Sequence, residues 1–155
     1  MNITFERATA VDAKAMTQIQ ITSFNDESRI YAGIDVGGPP GYDKVDTLLR
    51  KIAEDETYKI VDDGKIIGGL VVYDYGDGHY HLDLLFIETS YHNRGIGTQA
   101  MHFIEQAFPD AKKWTLNTPA YAVRNQHFYE KLGYVKVGEQ EESADLILFD
   151  YEKLV

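Results

Sequence analysis

Residues 92–104 run His92-Asn93-Arg94-Gly95-Ile96-Gly97-Thr98-Gln99-Ala100-Met101-His102-Phe103-Ile104, and the fold turns on this stretch. Ile96, Ala100 and Ile104 recur at spacing four with Met101 and Phe108 alongside, which predicts a helix that starts at the glycines and stops at Pro109. Before it, His79 to Ile87 has the pattern of a strand. The glycines therefore stand at a strand-to-helix junction. The first turn of a helix has backbone N–H groups without intrahelical partners. With the helix dipole they form an anion site well suited to phosphate. Glycines let the backbone come close with no Cβ in the way, and Arg94 adds local charge. A plain glycine-rich turn is the bland alternative. Gly95-x-Gly97-x-x-Ala100 also fits a dinucleotide fingerprint. That fingerprint needs a parallel βαβ unit, whereas the strand before these glycines ends an antiparallel meander. A P-loop is excluded because no Lys-Ser or Lys-Thr follows the glycines.

The meander is written in its turns. Thr57 to Val61 and Ile66 to Tyr75 are two strands joined by Asp62-Asp63-Gly64-Lys65, and Asp-Gly between apolar runs signals a hairpin. Gly76-Asp77-Gly78 then turns the chain into His79 to Ile87. Further upstream, Ile3 to Arg7 alternates as a first strand, and Thr9 with Asp12 resembles a capping box. The helix it opens carries Val11, Ala15 and Ile19 and is predicted to reach about Ser23. Asn25 to Tyr42, with Gly37-Gly38-Pro39-Pro40-Gly41, is predicted to be a long irregular loop. Val45, Leu48, Leu49 and Ile52 mark a second helix ending near Glu54. Downstream come a strand at Lys113 to Thr118, a helix at Asn125 to Leu132 ended by Gly133, and an antiparallel pair, Tyr134 to Gln140 and Asp145 to Tyr151. The order βααβββαβαββ predicts an α+β fold: a single mixed, mostly antiparallel sheet flanked by helices. A length of 155 residues suits one domain spanning residues 1–155.

Composition narrows the function classes. The chain has no Cys, which excludes disulfides, Cys-ligated zinc, iron–sulfur clusters and a catalytic thiol. No apolar run approaches the roughly 18 residues of a membrane span, and the N-terminus lacks the regions of a signal peptide. The expectation is a soluble, cytoplasmic protein with no membrane partner. With 15 Lys+Arg against 25 Asp+Glu the net charge is −10, so nucleic acid is not an expected partner. An acidic surface serves solubility, and its field also draws in cationic small molecules.

The second distinctive stretch is Asn125-Gln126-His127-Phe128-Tyr129-Glu130-Lys131-Leu132-Gly133-Tyr134. Together with His92 to Gly97, and in the same order with a strand between, it resembles the GNAT superfamily of N-acetyltransferases, in particular its small bacterial-type members. The resemblance runs the length of the chain, since the element order matches the family's acyl-CoA N-acyltransferase fold. It implies acetyl-CoA as co-substrate, an amine as acceptor and no metal. It places His92 at a position the family gives to Gln or Arg, and Gly95 and Gly97 at the family's glycines. His92, Asn93, Arg94, Gly95, Ile96, Gly97 and Thr98 would then wrap the pyrophosphate. By the same resemblance, backbone N–H groups of Leu85, Phe86 and Ile87 hold the thioester carbonyl, and Tyr129 protonates the leaving thiolate. The family often has an Asn where Ala122 stands here, and Asn125 is placed to do a related job. Homodimers are common in the family.

Acetyl transfer also needs a base, because the attacking amine must be neutral. With period two, His79, His81, Asp83, Leu85 and Ile87 share one face of their strand, and Leu82, Leu84 and Phe86 the other. His81 and Asp83 are poor core residues and are expected to face the acceptor cleft as catalytic candidates. A hydrogen-bonded pair on a solvated face is the alternative. His79-x-His81-x-Asp83 could also be read as a metal face, although no further ligand cluster accompanies it. On the acceptor side, the predicted loop carries Asp26, Glu27 and Asp35 with Tyr31 and Tyr42, a mixture that suits a cation. The expected activity is transfer of acetyl from acetyl-CoA to an amine, a cationic small molecule or an aminoacyl nitrogen, by direct attack in a ternary complex. The alternative is a non-catalytic acyl-CoA-binding sensor or interaction module on the same fold.

Overall fold

The two hairpin turns set the frame of the sheet. In the computed structural model, which describes residues 1–155, Asp63 and Gly64 both adopt positive φ, 46° and 86°. Only a turn of that hand matches the twist of the strands it joins. It links β2 (Glu56–Asp62) to β3 (Lys65–Asp74), and Gly76-Asp77-Gly78 links β3 to β4 (His79–Ile87). With β1 (Ile3–Arg7), β5 (Lys113–Pro119), β6 (Val135–Ser143) and β7 (Leu146–Leu154), they form a seven-stranded sheet of order β1-β2-β3-β4-β5-β7-β6. Every neighbouring pair is antiparallel except β4 and β5, which run parallel. The fold is thus the mixed α+β sheet that the turn signals and helix periods predict.

Helices cover both faces. On one, α3 (Ile96–Ala107) sets Ile96, Met101 and Ile104 against Leu70, Val72, Tyr80, Leu82, Trp114 and Leu116. Trp114 is fully buried there. On the other, α1 (Ala13–Ala32) and α2 (Val45–Glu54) bring Met16 and Leu48 onto Val71, Leu84 and Phe86. Each such side chain contributes about 1.5–3 kcal/mol on burial. The short α4 (Val123–Lys131) lies between β5 and β6 in the chain and packs Phe128 and Tyr129 against the α3-side cluster.

Two expectations are corrected. The stretch from Asn25 is not all loop, because α1 continues to Ala32 and ends on Gly33 with φ 68°. Its last turns have no apolar stripe, so hydrophobic period could not reveal them. They are held by polar side chains instead. Asn25 Oδ1 accepts from the Gly37 N–H at 3.0 Å and from the Tyr42 hydroxyl at 2.6 Å, and Ser28 Oγ donates to the Gly37 carbonyl at 2.8 Å. The second correction concerns β4. Val71 pairs with Leu84 and Val72 with Leu82, so Asp83 is an extra residue with no partner across the ladder. A bulge of this kind breaks the two-residue alternation. Tyr80 and Leu82 face the α3 side, but Leu84 and Phe86 face α1 and α2, and Leu85 and Ile87 join the α3 side. His79, His81 and Asp83 therefore do not share a face with Leu85 and Ile87.

The parallel contact is short. β4 pairs with β5 only over His79–Leu82 and Lys113–Leu116, while β5 stays paired with β7 as far as Pro119. Beyond Leu82 the two strands part, and the β5-facing edge of Leu85–Ile87 is left without a strand partner. The far side of that segment is pinned by Gly68 and Gly69, which pair with Ile87 and Phe86. A Cβ on Gly68 would collide with the Phe86 carbonyl oxygen and lie 3.1 Å from Ile87 Cα. Gly68→Ala should therefore destabilise the protein by about 1–3 kcal/mol, read as a lower urea midpoint.

Candidate functional site

The free end of β4 opens onto a cavity of about 390 Å³, within the size range of small-molecule sites. Four elements build it. The β4 end supplies Leu85, Phe86 and Ile87, and the turn into α3 supplies His92, Asn93, Gly95, Ile96, Gly97 and Thr98. The α4 helix brings Arg124, Asn125, Phe128 and Tyr129, and the tail of α1 brings Asp26, Glu27, Ile30 and Tyr31. Of the residues expected at a cofactor site, only Arg94 does not line it. Its guanidinium lies 5.2 Å over the Tyr91 ring.

The turn has the geometry of an anion cradle. Asn93 and Gly95 have φ of 63° and 79°, so two left-handed residues flank Arg94 just ahead of α3. Such alternation turns successive N–H groups toward a common point, at the positive end of the helix dipole. A Cβ on Gly97 would sit 3.2 Å from Phe128 Cζ, so the close approach of α4 to this turn is easiest with a glycine there. These features fit a pyrophosphate-bearing ligand. Arg124 hydrogen-bonds to the Asn93 side chain and ties α4 to the turn. His92 spends its Nε2–H on the Ile87 carbonyl at 2.8 Å, pinning the end of β4 to the loop. The ring thus orders the backbone at the edge of the cavity it lines.

The catalytic candidates divide. Tyr129 lines the cavity, and burial, reinforced by the Glu27 charge, pushes its phenol well above the ordinary tyrosine value. It is therefore in the proton-donor form throughout the neutral range. His81 and Asp83 do not line the cavity. His81 Nδ1 and His79 Nε2 both meet Thr115 Oγ1, at 2.7 and 2.8 Å, and Asp83 is paired with Lys51 Nζ at 2.5 Å. Desolvation lowers both histidine pKa values, which keeps the pair neutral at pH 7. The bulge at Asp83 explains the separation, since it puts this group on the α2 side of the sheet. On the acceptor side, Asp26, Glu27 and Tyr31 line the cavity, Asp35 is exposed, and Tyr42 is a buried residue packed edge-on against Phe24.

Glu27 is the residue that sequence reasoning undervalued. It was legible only as one acidic residue in a presumed loop. On the tail of α1 it becomes a half-buried carboxylate in the cavity, with Oε1 accepting from Asn125 Nδ2 at 3.0 Å. Burial raises its pKa, and the Asn125 hydrogen bond opposes the rise. Neighbouring Asp26 is anchored by the Thr89 hydroxyl and by Arg29, both at 2.6 Å, and its pKa is lowered by the same contacts.

A mixed sheet that opens beside a glycine turn at a helix start defines the class of fold. The profile of the acetyltransferase (GNAT) domain matches residues 42–155, and the chain belongs to that family. Among solved structures, the fold is similar to the PaiA N-acetyltransferase of Thermoplasma acidophilum in complex with coenzyme A. That protein is 17% identical with a TM-score of 0.80, over 100% of both chains. The ribosomal-protein-S18-alanine N-acetyltransferase of Escherichia coli is 12% identical with a TM-score of 0.77, over 99% of this chain and 94% of that one. At such identities the likeness is one of fold. The uncharacterized protein YrkN of Bacillus subtilis (strain 168) is 40% identical over 79 residues. The match covers 50% of this chain and 43% of YrkN, so the chain spans under half the length of that curated relative. No helix is long and apolar enough to cross a membrane.

The raised Glu27 pKa has a consequence for stability. The folded state holds this proton more tightly than the unfolded chain does. The stability it contributes is present below the ordinary glutamate value and is lost as pH rises through the folded value. Glu27→Gln removes that loss and keeps an oxygen for Asn125. The variant should withstand more urea than wild type at about pH 8, and its advantage should disappear toward about pH 4.

Proposed function

We propose that the chain transfers the acetyl group of acetyl-CoA to the nitrogen of a cationic amine, by direct attack within a ternary complex. The carrying observation is that the unpartnered edge of Leu85–Ile87, the glycine turn and Tyr129 open into one cavity. Bound acetyl-CoA would supply a thioester, an acyl group on a good leaving sulfur. The turn from Asn93 to Thr98 holds the phosphates through backbone N–H groups and the α3 dipole. Backbone N–H groups on the free edge of Leu85–Ile87 receive the acyl carbonyl oxygen and stabilise the negative charge that develops on it. Tyr129 returns a proton to the departing sulfur. With no Cys in the chain a thiol-linked acyl-enzyme cannot form, and direct attack by the bound amine is the simpler route. Asp26, Glu27 and the ring of Tyr31, which line the same cavity, favour an acceptor that arrives as a cation.

Calorimetry with acetyl-CoA and a thiol-release assay over phenethylamine, 1,4-diaminobutane and an alanyl peptide test this reading. Acetyl-CoA should bind at submillimolar concentration, and at least one amine should support repeated turnover. Binding without turnover on any amine would favour the acyl-CoA sensor, and absence of binding would end both readings. Tyr129→Phe should lower kcat about 100-fold and leave acetyl-CoA affinity within about twofold. Unchanged turnover would remove Tyr129 as the acid.

A further inference from the structure

The proposed chemistry needs a group that takes the proton of the incoming ammonium, and neither His81 nor Asp83 opens into the cavity. Three observations converge on a carboxylate from a different element. Glu27 lines the same cavity as Tyr129 and the β4 end. Its Oε1 is fixed by Asn125 Nδ2 at 3.0 Å, and its Oε2 has no hydrogen-bond partner in the protein. It also comes close enough for its charge to act on the Tyr129 phenol.

On these grounds we infer that Glu27 is the proton acceptor for the attacking amine, held in position by Asn125 in the cavity that Tyr129 also lines. The inference rests on the acetyl-transfer reading and adds the base to it. Glu27 Oε2 takes a proton from the acceptor ammonium, which leaves a lone pair on nitrogen. That nitrogen forms a bond to the acyl carbon, and the C–S bond breaks with its electron pair on sulfur. The Tyr129 O–H gives its proton to sulfur, and the phenolate regains one from the newly acylated nitrogen. The proton on Glu27 returns to solvent, so one proton is released for each amide formed. The two groups are matched to these roles by environment. Burial moves the carboxyl up toward neutrality, where it is a better base, and keeps the phenol protonated. Of the other charged or titratable groups lining the cavity, Asp26 is committed to Thr89 and Arg29, Arg124 to Asn93, and His92 donates its Nε2–H to the Ile87 carbonyl.

The test compares two nucleophiles with acetyl-CoA: phenethylamine, which is a cation at neutral pH, and hydroxylamine, which is not. For Glu27→Gln, kcat/KM with phenethylamine should fall about 100-fold, while the rate with hydroxylamine stays within about threefold and calorimetric acetyl-CoA affinity within about twofold. The acidic limb of the phenethylamine pH profile should disappear in Glu27→Gln, and Glu27→Asp should restore part of the rate. Equal loss with both nucleophiles would mean a structural role, and no loss with either would mean another base. Both results overturn the inference. Wild type that binds acetyl-CoA yet turns over neither nucleophile overturns it as well, and wild type that fails to bind acetyl-CoA removes the acetyl-transfer reading beneath it.

Discussion

A β-strand that loses its neighbour leaves backbone groups that must find other partners. In this protein that happens where β4 leaves β5 after Leu82, and the rest of the site is arranged around the break. The Asp83 bulge lies one residue past the last pair and bends the strand as bulges do. Gly68 and Gly69 hold the opposite edge of the same segment close, and His92 secures its final carbonyl. Phe128 and Tyr129 enter beside the gap, with Phe128 packed close against Gly97 of α3. The β4 edge is thus rigid on three sides and open on the fourth, as electrostatic stabilisation of a reacting carbonyl requires.

The same arrangement reconciles a chain of net charge −10 with an anionic ligand. The positive potential at the turn comes from backbone dipoles, which do not titrate and are counted in no formal charge. The nearby arginines are engaged in building the turn and its flank, Arg124 on Asn93 and Arg94 on Tyr91. Asp26 and Glu27 of α1 line the same cavity and supply the opposite sign, Asp26 held by Thr89 close to the turn.

Much of the fold was legible because its signals are local. Asp63-Gly64 and Gly76-Asp77-Gly78 announce their turns, the four-residue spacing from Ile96 announces α3, and the two motifs fall together in space as their order implied. The failures share a cause. The tail of α1 has no apolar stripe and exists because Asn25 and Ser28 bond to a loop up to seventeen residues away. The β4 alternation broke at a bulge that depends on how β3 lies beside it, which period two within one strand cannot express. Glu27 was hidden by the first of these errors and His81 and Asp83 were promoted by the second, so both mistakes about chemistry began as mistakes about backbone.

The two sides of the cavity also differ in what holds them. The cofactor-side residues rest on the main core, with Ile96 and Met101 of α3 and Trp114 of β5 fully buried. Beyond Phe24, α1 fully buries only Ser28, and Ile30, Ile34 and Val36 are exposed. Segments with few buried apolar contacts open locally at a lower free-energy cost than the core. The α1 tail is thus the wall of the cavity that opens at lower cost than the α3 core. One hydrogen bond, from Asn125, links the Glu27 carboxylate to α4. In the proposed chemistry Asn125 therefore couples the position of the carboxylate to that of Tyr129, four residues on along the same helix.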